Sequence, residues 1–323
     1  MKKLHVLLAF TFIFIFCSTQ AFADTWEIRS IDLKRAIPND TNPPERLEPV
    51  TNLAPLDSSE GIIRRVKLRE PEKKLAALTF DMCELETITT GCDMKILAFL
   101  REKNIPATLF MGGKWMRTHS QRVKEIIASE IFEIANHNWS HGNCALLSER
   151  DLKNQILWTQ AQFEILREEL LRENPDLNPD SVQRIPKLFR LPYGRNSEKS
   201  LRIIANLGLR IIQWDVAAEN GDNSKISRAK KSARLVASMT RPGSILLFHA
   251  NLVPKGSDVL LREVVRELEA KNYAFVTVSE LLEAGIPETT RSGYFTKPGD
   301  NIALDKKFGI DGTGRRAKAK RKK

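Results

Sequence analysis

The chain has 323 residues, a formal net charge of +11 and 28% charged residues. The positive excess is local: residues 315–323 hold seven Lys or Arg, and with Lys2 and Lys3 also set aside the stretch from 24 to 314 carries only +2. No aromatic residue interleaves with the charges of the tail. That argues against nucleic-acid binding, which would want a stacking platform, and leaves solvation or attraction to anionic envelope polymers as the tail's expected role.

In chain order, Met1-Lys2-Lys3, the apolar run Leu7 to Phe16 and Ala21-Phe22-Ala23 have the basic start, short hydrophobic region and A-x-A site of a secretory signal. Cleavage is expected after Ala23, with the mature chain exported to the periplasm or beyond. The apolar run is shorter than the ~20 residues of a membrane span, and no later stretch could cross a bilayer, so no stable span is expected after cleavage. Cys17 follows Phe16 where a lipid-anchored signal would carry a small residue. Cys83, Cys92 and Cys144 remain, an odd number in a compartment that permits disulfides, and their pairing cannot be read from sequence.

Residues 24–72 contain Pro38, Pro43, Pro44, Pro49 and Pro55 with few apolar clusters and read as an extended arm wrapping the main domain. From Lys74 short apolar runs alternate with amphipathic stretches. Strands are predicted near 75–81, 107–111, 131–136, 187–190, 210–216, 244–249 and 274–278. Helices are predicted near 93–103, 120–128, 198–206, 227–239 and 257–271, with a long one from Ser148 to Glu173 opening on the capping-box pattern Ser148-x-x-Asp151. Seven strands alternating with helices over 73–285 imply parallel strands with right-handed crossovers, hence an α/β fold of the incomplete (β/α)7 barrel type. A doubly wound open sheet is the weaker alternative, because no G-x-G-x-x-G or Walker sequence follows any strand. Residues 286–323 form a C-terminal extension with no pattern beyond Gly, Pro and Lys.

Beyond residue 23 the only histidines are His119, His137, His141 and His249. His137 and His141 lie four apart directly after an apolar run, and on a locally helical turn that spacing puts two imidazoles on one side, where they can share a Zn²⁺-type ion. An isolated H-x-x-x-H is weak evidence, since paired surface histidines give the same pattern. Position strengthens it. In β/α barrels functional side chains collect at the C-terminal strand ends, and the predicted ends carry Asp81, His137 with His141, Arg190 with Pro192 and Tyr193, Asp215, and His249.

Thr79-Phe80-Asp81, His137-x-x-x-His141, Arg190-Leu191-Pro192-Tyr193-Gly194, Trp214-Asp215 and Leu247-Phe248-His249 together resemble, in order and spacing, the five motifs of the polysaccharide deacetylases of the NodB-homology type, carbohydrate esterase family 4. The resemblance spans roughly residues 74–285 and includes neither the arm nor the tail. It implies metal-assisted hydrolysis of the N-acetyl group of an N-acetylhexosamine in a glycan such as peptidoglycan or a chitin-like oligosaccharide. His137 and His141 would hold a divalent ion, zinc or alternatively cobalt. Asp81 would be the general base and Arg190 its orienter; His249, tuned by Asp215, would be the acid that protonates the departing amine. A backbone N–H of the Pro192-Tyr193 turn would hold the oxyanion, and Pro192 and Trp214 would line the substrate.

The chain departs from the family at the third ligand. Where the first motif has a second Asp, this sequence has Met82, and a thioether is a poor ligand for such an ion. Glu84 is the expected replacement, with Cys83, Asp93 and Asn143 as other candidates and two histidines with waters, at reduced affinity, as the alternative to any third protein ligand. Asp93 also suits a helix cap, and Cys83 could be bonded to Cys92. The fourth motif is loose as well, with Glu219, Asn220 and Asp222 following Asp215. Two functional readings stay open: an active exported deacetylase, or a catalytically silent barrel that binds glycan or serves in envelope assembly. An O-deacetylase on the same scaffold is a third.

Overall fold

The computed structural model describes residues 26–33 and 39–314. The expected signal segment 1–23 and the basic tail 315–323 lie outside the described residues. Ten strands make one curled sheet: β1 (Ile62–Leu68), β2 (Leu75–Met82), β3 (Ala107–Met111), β4 (Phe132–Asn136), β5 (Leu188–Phe189), β6 (Arg210–Ile212), β7 (Val216–Ala217), β8 (Ile245–His249), β9 (Ala274–Val276) and β10 (Gly285–Thr290). They run in the order β10-β1-β6-β5-β4-β3-β2-β8-β7, with β9 beside the start of β2. All pairings are parallel except that of β10 on β1. Val66 N–H donates to Gly243 O at 2.9 Å and Arg65 bridges Ser244, which draws β1 toward the start of β8 and curls the sheet into a half-barrel. The incomplete α/β barrel expected from the alternation is the observed architecture.

Strand parity sorts the side chains. Ala77, Phe110, Ala135, Leu188, Ile245 and Leu247 fill the inside of the curl. Leu78, Phe80, Leu109, Ile134, Leu246 and Phe248 face outward under the helices. Both sets are buried, as parallel strands covered on two faces require, and each fully buried Leu or Phe contributes about 2–3 kcal/mol of transfer free energy. The helix over Glu149–Glu173 is capped by Ser148 Oγ accepting from Asp151 N at 3.1 Å.

Three expectations about strands change. The single strand predicted over 210–216 is two strands far apart in the sheet, because Gln213 N–H donates to Ile63 O while Asp215 N–H donates to Ile245 O, so the chain crosses the open side of the curl there. Part of the stretch read as an arm, residues 62–68, is β1, inside the sheet. The extension assigned no pattern supplies β10, paired antiparallel along β1. Its weak signal has a physical cause: β10 is exposed along most of its length and lacks an apolar alternation to read.

The rest of the N-terminal stretch lies against the helices. Asp32 is fully buried and ion-paired with Arg122 at 3.0 Å, and Glu164 accepts from Val50 N and Thr51 N at 2.6 and 2.8 Å. The C-terminal segment crosses the top of the curl. Asn301 Nδ2 donates to Tyr193 O and Gly194 O, Asp305 pairs with Arg195, and Phe308 stacks on Tyr193 with centroids 5.0 Å apart.

Candidate active site

The parity that fills the interior with apolar residues also aims the chemistry. On β2, Ala77, Thr79, Asp81 and then Cys83 follow one face; on β8 His249 follows Leu247; after β5 Arg190 follows Leu188; after β4 His137 follows Ala135. Asp81 and His249 are register partners on adjacent strands. Four elements thus bring their last inward residues to one point.

Asp81 sits at the centre, 5% exposed. Arg190 Nη1 donates to its Oδ1 at 2.8 Å, and His137 Nε2 lies 3.5 Å from its Oδ2. Burial pushes the Asp81 carboxyl up, but the charges of Arg190, His137 and His249 outweigh it and hold the pKa below the usual carboxylate range. Arg190 is fully buried with its guanidinium 3.8 Å over the Phe110 ring, and its other N–H groups donate to Ile212 O and Gln213 O at 3.4 and 3.3 Å. Those carbonyls hold it still.

His137 Nδ1 donates to Arg190 O at 2.9 Å; a carbonyl can only accept, so Nε2 keeps its lone pair. That Nε2 and the Nδ1 of His141 are buried without hydrogen-bond partners among the described residues. Burial first, and for His141 the neighbouring His137 next, pull both pKa values below the ordinary imidazole range, so both rings are neutral ligands at neutral pH. Cys83 Sγ completes the group: one donor atom from each of Cys83, His137 and His141 lies within 4.8 Å of the others. Two nitrogens and a sulfur are a zinc-type donor set, and two orphaned ring nitrogens are what an added ion would satisfy. These residues fit a divalent metal.

The turn that carries the histidines is not helical. Asn138 and His141 have φ of +62° and +59°, and Tyr193 has φ of +58°. Three non-glycine residues in the left-handed region at one centre are strain of the kind functional sites store. Tyr193 packs edge-on against the His141 ring at 4.3 Å, and its buried hydroxyl has no hydrogen-bond partner among the described residues.

Four expected assignments change. Glu84 is not at the metal cluster: it is fully buried on the other side of β2's end, 3.4 Å from Lys114 Nζ and accepting from Thr118 Oγ1 and Thr90 N. The cause is parity, since β2 continues through Met82, sends Met82 outward into the helix-facing core and returns Cys83 to the inside. Asp215 does not touch His249; its carboxylate accepts from Ser244 Oγ and Ile245 N at 2.8 and 2.9 Å. Glu219 takes that place, with Oε2 2.5 Å from His249 Nδ1 and Oε1 accepting from His249 N. Trp214 is 2% exposed, its N–H spent on Phe295 O, which makes it a wall rather than a substrate contact. Pro192 is likewise buried. Of the other ligand candidates, Asp93 caps the helix Met94–Glu102 and Asn143 is tied to Asp305 and Ala145 N. The three cysteines are free and buried.

His249 is half-buried. Burial pulls its pKa down, but the charge and hydrogen bond of Glu219, helped by Asp81, more than offset this and raise it. A lowered carboxylate and a raised imidazole on neighbouring strands are suited to accept and to donate a proton respectively.

Residues 68–212 match the family model described as polysaccharide deacetylase. A peptidoglycan-N-acetylglucosamine deacetylase of Bacillus cereus is 30% identical over 217 residues, 65% of this chain and 69% of that protein. The chain belongs to the polysaccharide deacetylase family. Among solved members, a family 4 acetyl xylan esterase of Clostridium thermocellum, determined with a cobalt ion, has 25% identity and a TM-score of 0.50 over 65% of this chain and 91% of its own. A family 4 pseudoenzyme of Bacillus anthracis, solved as a mutant, shares the fold at 22% identity and a TM-score of 0.53, covering 69% and 71% of the two chains. The fold is thus that of this family of deacetylases, while the Cys83 donor and the Glu219–His249 pair are read from this chain itself. Among the described residues no helix is long and apolar enough to cross a membrane.

Proposed function

We propose that this protein is a metal-dependent N-deacetylase acting on N-acetylhexosamine glycans, peptidoglycan or chitin-like oligosaccharides, and that Cys83 stands in for the missing second Asp as the third protein ligand beside His137 and His141. The observation that carries the reading is the pairing of Asp81, held by Arg190, with His249, held by Glu219, beside two ring nitrogens that have no other partner. A binding module has no need of all four. Export is part of the same proposal and is supported by the composition of residues 1–23.

A zinc or cobalt ion in the Cys83–His137–His141 group would supply polarisation of the acetyl carbonyl and an acidified water. The remaining work falls to side chains. Asp81, ionised at neutral pH, takes a proton from the attacking water, and Arg190 keeps the accepting carboxylate oriented. The N–H of Tyr193, in the strained turn, is the proposed donor to the oxyanion. His249, with Nδ1 committed to Glu219, gives its Nε2 proton to the nitrogen as the C–N bond breaks. An amide demands that proton because the unprotonated amine leaves poorly.

The test is acetate release by residues 24–323 from N-acetylglucosamine oligomers and peptidoglycan, before chelation, after it, and with Zn²⁺ or Co²⁺ restored. Activity should vanish and return. The cobalt form should also show near-ultraviolet thiolate-to-metal absorption that Cys83→Ser removes; its absence from the wild type would exclude the thiolate ligand. Met82 favours a second reading, a silent glycan-binding barrel. Under it His137→Ala keeps glycan affinity and there is no activity to lose.

A further inference from the structure

A cavity of about 460 Å³ opens next to the catalytic turn and is not used by the chemistry above. Its floor is one face of the long helix Glu149–Glu173, where Asp151, Asn154, Gln155 and Trp158 recur at helical spacing. One wall is the turn itself, through Ser140 and Gly142, the latter adjacent to His141. The opposite wall comes from Thr41 and from Ile310 and Asp311, segments outside the stretch that matches the family. Gly312, next in sequence, sits against the Tyr193 hydroxyl, so the C-terminal segment that walls the cavity also reaches the catalytic centre.

We propose that this cavity is a subsite for a sugar ring of the same glycan, further along the chain than a dimer bound at the catalytic centre would reach, with Trp158 as its stacking platform. The inference rests on the glycan reading of the active site. Trp158 is half-buried and meets Trp139 edge to face, centroids 6.0 Å apart at 88°. Trp139 is 2% exposed, so Trp158 is the more accessible ring of the pair, and a perpendicular partner covers at most one of its faces. Neither the Trp158 N–H nor the Asn154 amide hydrogen-bonds to any described residue. A half-buried aromatic with an unspent donor, beside an unspent amide one helical turn away, suits a pyranose, which offers C–H groups to a ring face and hydroxyls to polar atoms. Gln155 is already committed, clamping the turn through Ser140 N at 2.9 Å and Ser140 Oγ at 3.0 Å; it couples the floor of the cavity to the metal-binding turn.

The experiment measures acetate release from N-acetylglucosamine dimer, tetramer and hexamer by the wild type, Trp158→Ala, Trp158→Phe and Asn154→Ala. The wild type should gain with length. Trp158→Ala should lose roughly tenfold in kcat/KM on the hexamer, the size of one lost aromatic anchor, mostly through KM, and keep its rate on the dimer; Trp158→Phe should retain most of the gain. A loss equal at every length, or none, overturns the subsite while leaving the deacetylase reading intact. Calorimetry with the hexamer in the Asp81→Asn background, where turnover is strongly slowed, decides the matter even if no variant releases acetate: binding weakened by Trp158→Ala supports the subsite, and unchanged or absent binding overturns it.

Discussion

On the β8 wall of the cleft, Glu219 engages both the Nδ1 and the backbone N–H of His249, whereas on the β4 wall His137 Nε2 and His141 Nδ1 are buried with nothing described to bond. Leaving a buried polar atom unmatched costs about 1–3 kcal/mol. A fold that bears this twice at one point, with a thiol beside it, is arranged for a group from outside the chain. The β8 wall differs, because His249 is already held there by Glu219. Asp81 stands between them and belongs to both, which makes it the place where the contrast can be broken hardest.

Asp81→Asn should abolish the distinction by disabling both walls. Asn keeps an oxygen for Arg190 but takes no proton, so acetate release should fall by about 10²- to 10⁴-fold, the usual contribution of a positioned base. The substitution also leaves a buried guanidinium without its countercharge, a change that costs about 3–5 kcal/mol when nothing replaces the partner. The retained hydrogen bond should hold the loss in a denaturant titration below that. A variant that keeps its rate would remove Asp81 from the mechanism.

How much of this could be read beforehand depends on period. The four motif residues that parity brings together, Asp81, His137, Arg190 and His249, and with them Cys83, one of the candidate ligands beside Glu84, all lie on or just past strands with apolar runs. Counting by twos from Ala77 reaches Asp81 and then Cys83, passing over Met82 and Glu84. Glu84 is the expected ligand, but the strand's register, which the alternation itself carries, sends it to Lys114 instead. Glu219 lies on an irregular stretch after β7, where no periodicity links it to His249, and only the folded chain brings the two together. The same holds for the segment over the top of the site. Asn301, Asp305 and Phe308 reach Tyr193, Arg195 and Asn143 through tertiary contacts that carry no local pattern. Nor does any residue type announce the positive φ of His141, which replaces the helical turn suggested by the H-x-x-x-H spacing.

Glu219→Gln tests the finished wall. Glu219 raises the His249 pKa, so His249 stays protonated, and competent as an acid, until the pH climbs through that raised value. Without the carboxylate, burial is opposed only by Asp81, the pKa falls, and the alkaline limb of the kcat profile should move to lower pH. The rate at neutral pH should drop by about tenfold to a hundredfold, part of what a whole general acid supplies. Asp215→Asn is the control. Its carboxylate serves Ser244 and Ile245, and the limb should stay where it is; a shift with Asp215→Asn and none with Glu219→Gln would reverse the assignment.

The smallest effect on chemistry is expected at Glu84, one residue from the proposed thiolate. Burial raises its pKa against the pull of Lys114, Thr90 and Thr118, so its free energy is spent on the packing of the turn over Lys114. Glu84→Gln keeps an oxygen for Thr118 and Thr90 but withdraws the charge facing Lys114, whose own pKa burial already lowers. Metal content and the cobalt spectrum should be unchanged, while stability should fall by about 1–3 kcal/mol. If the metal were lost with Glu84 and retained by Cys83→Ser, the parity argument would fail at its most specific point, and the open side of the cleft would have to be rebuilt around a carboxylate that swings in from the turn.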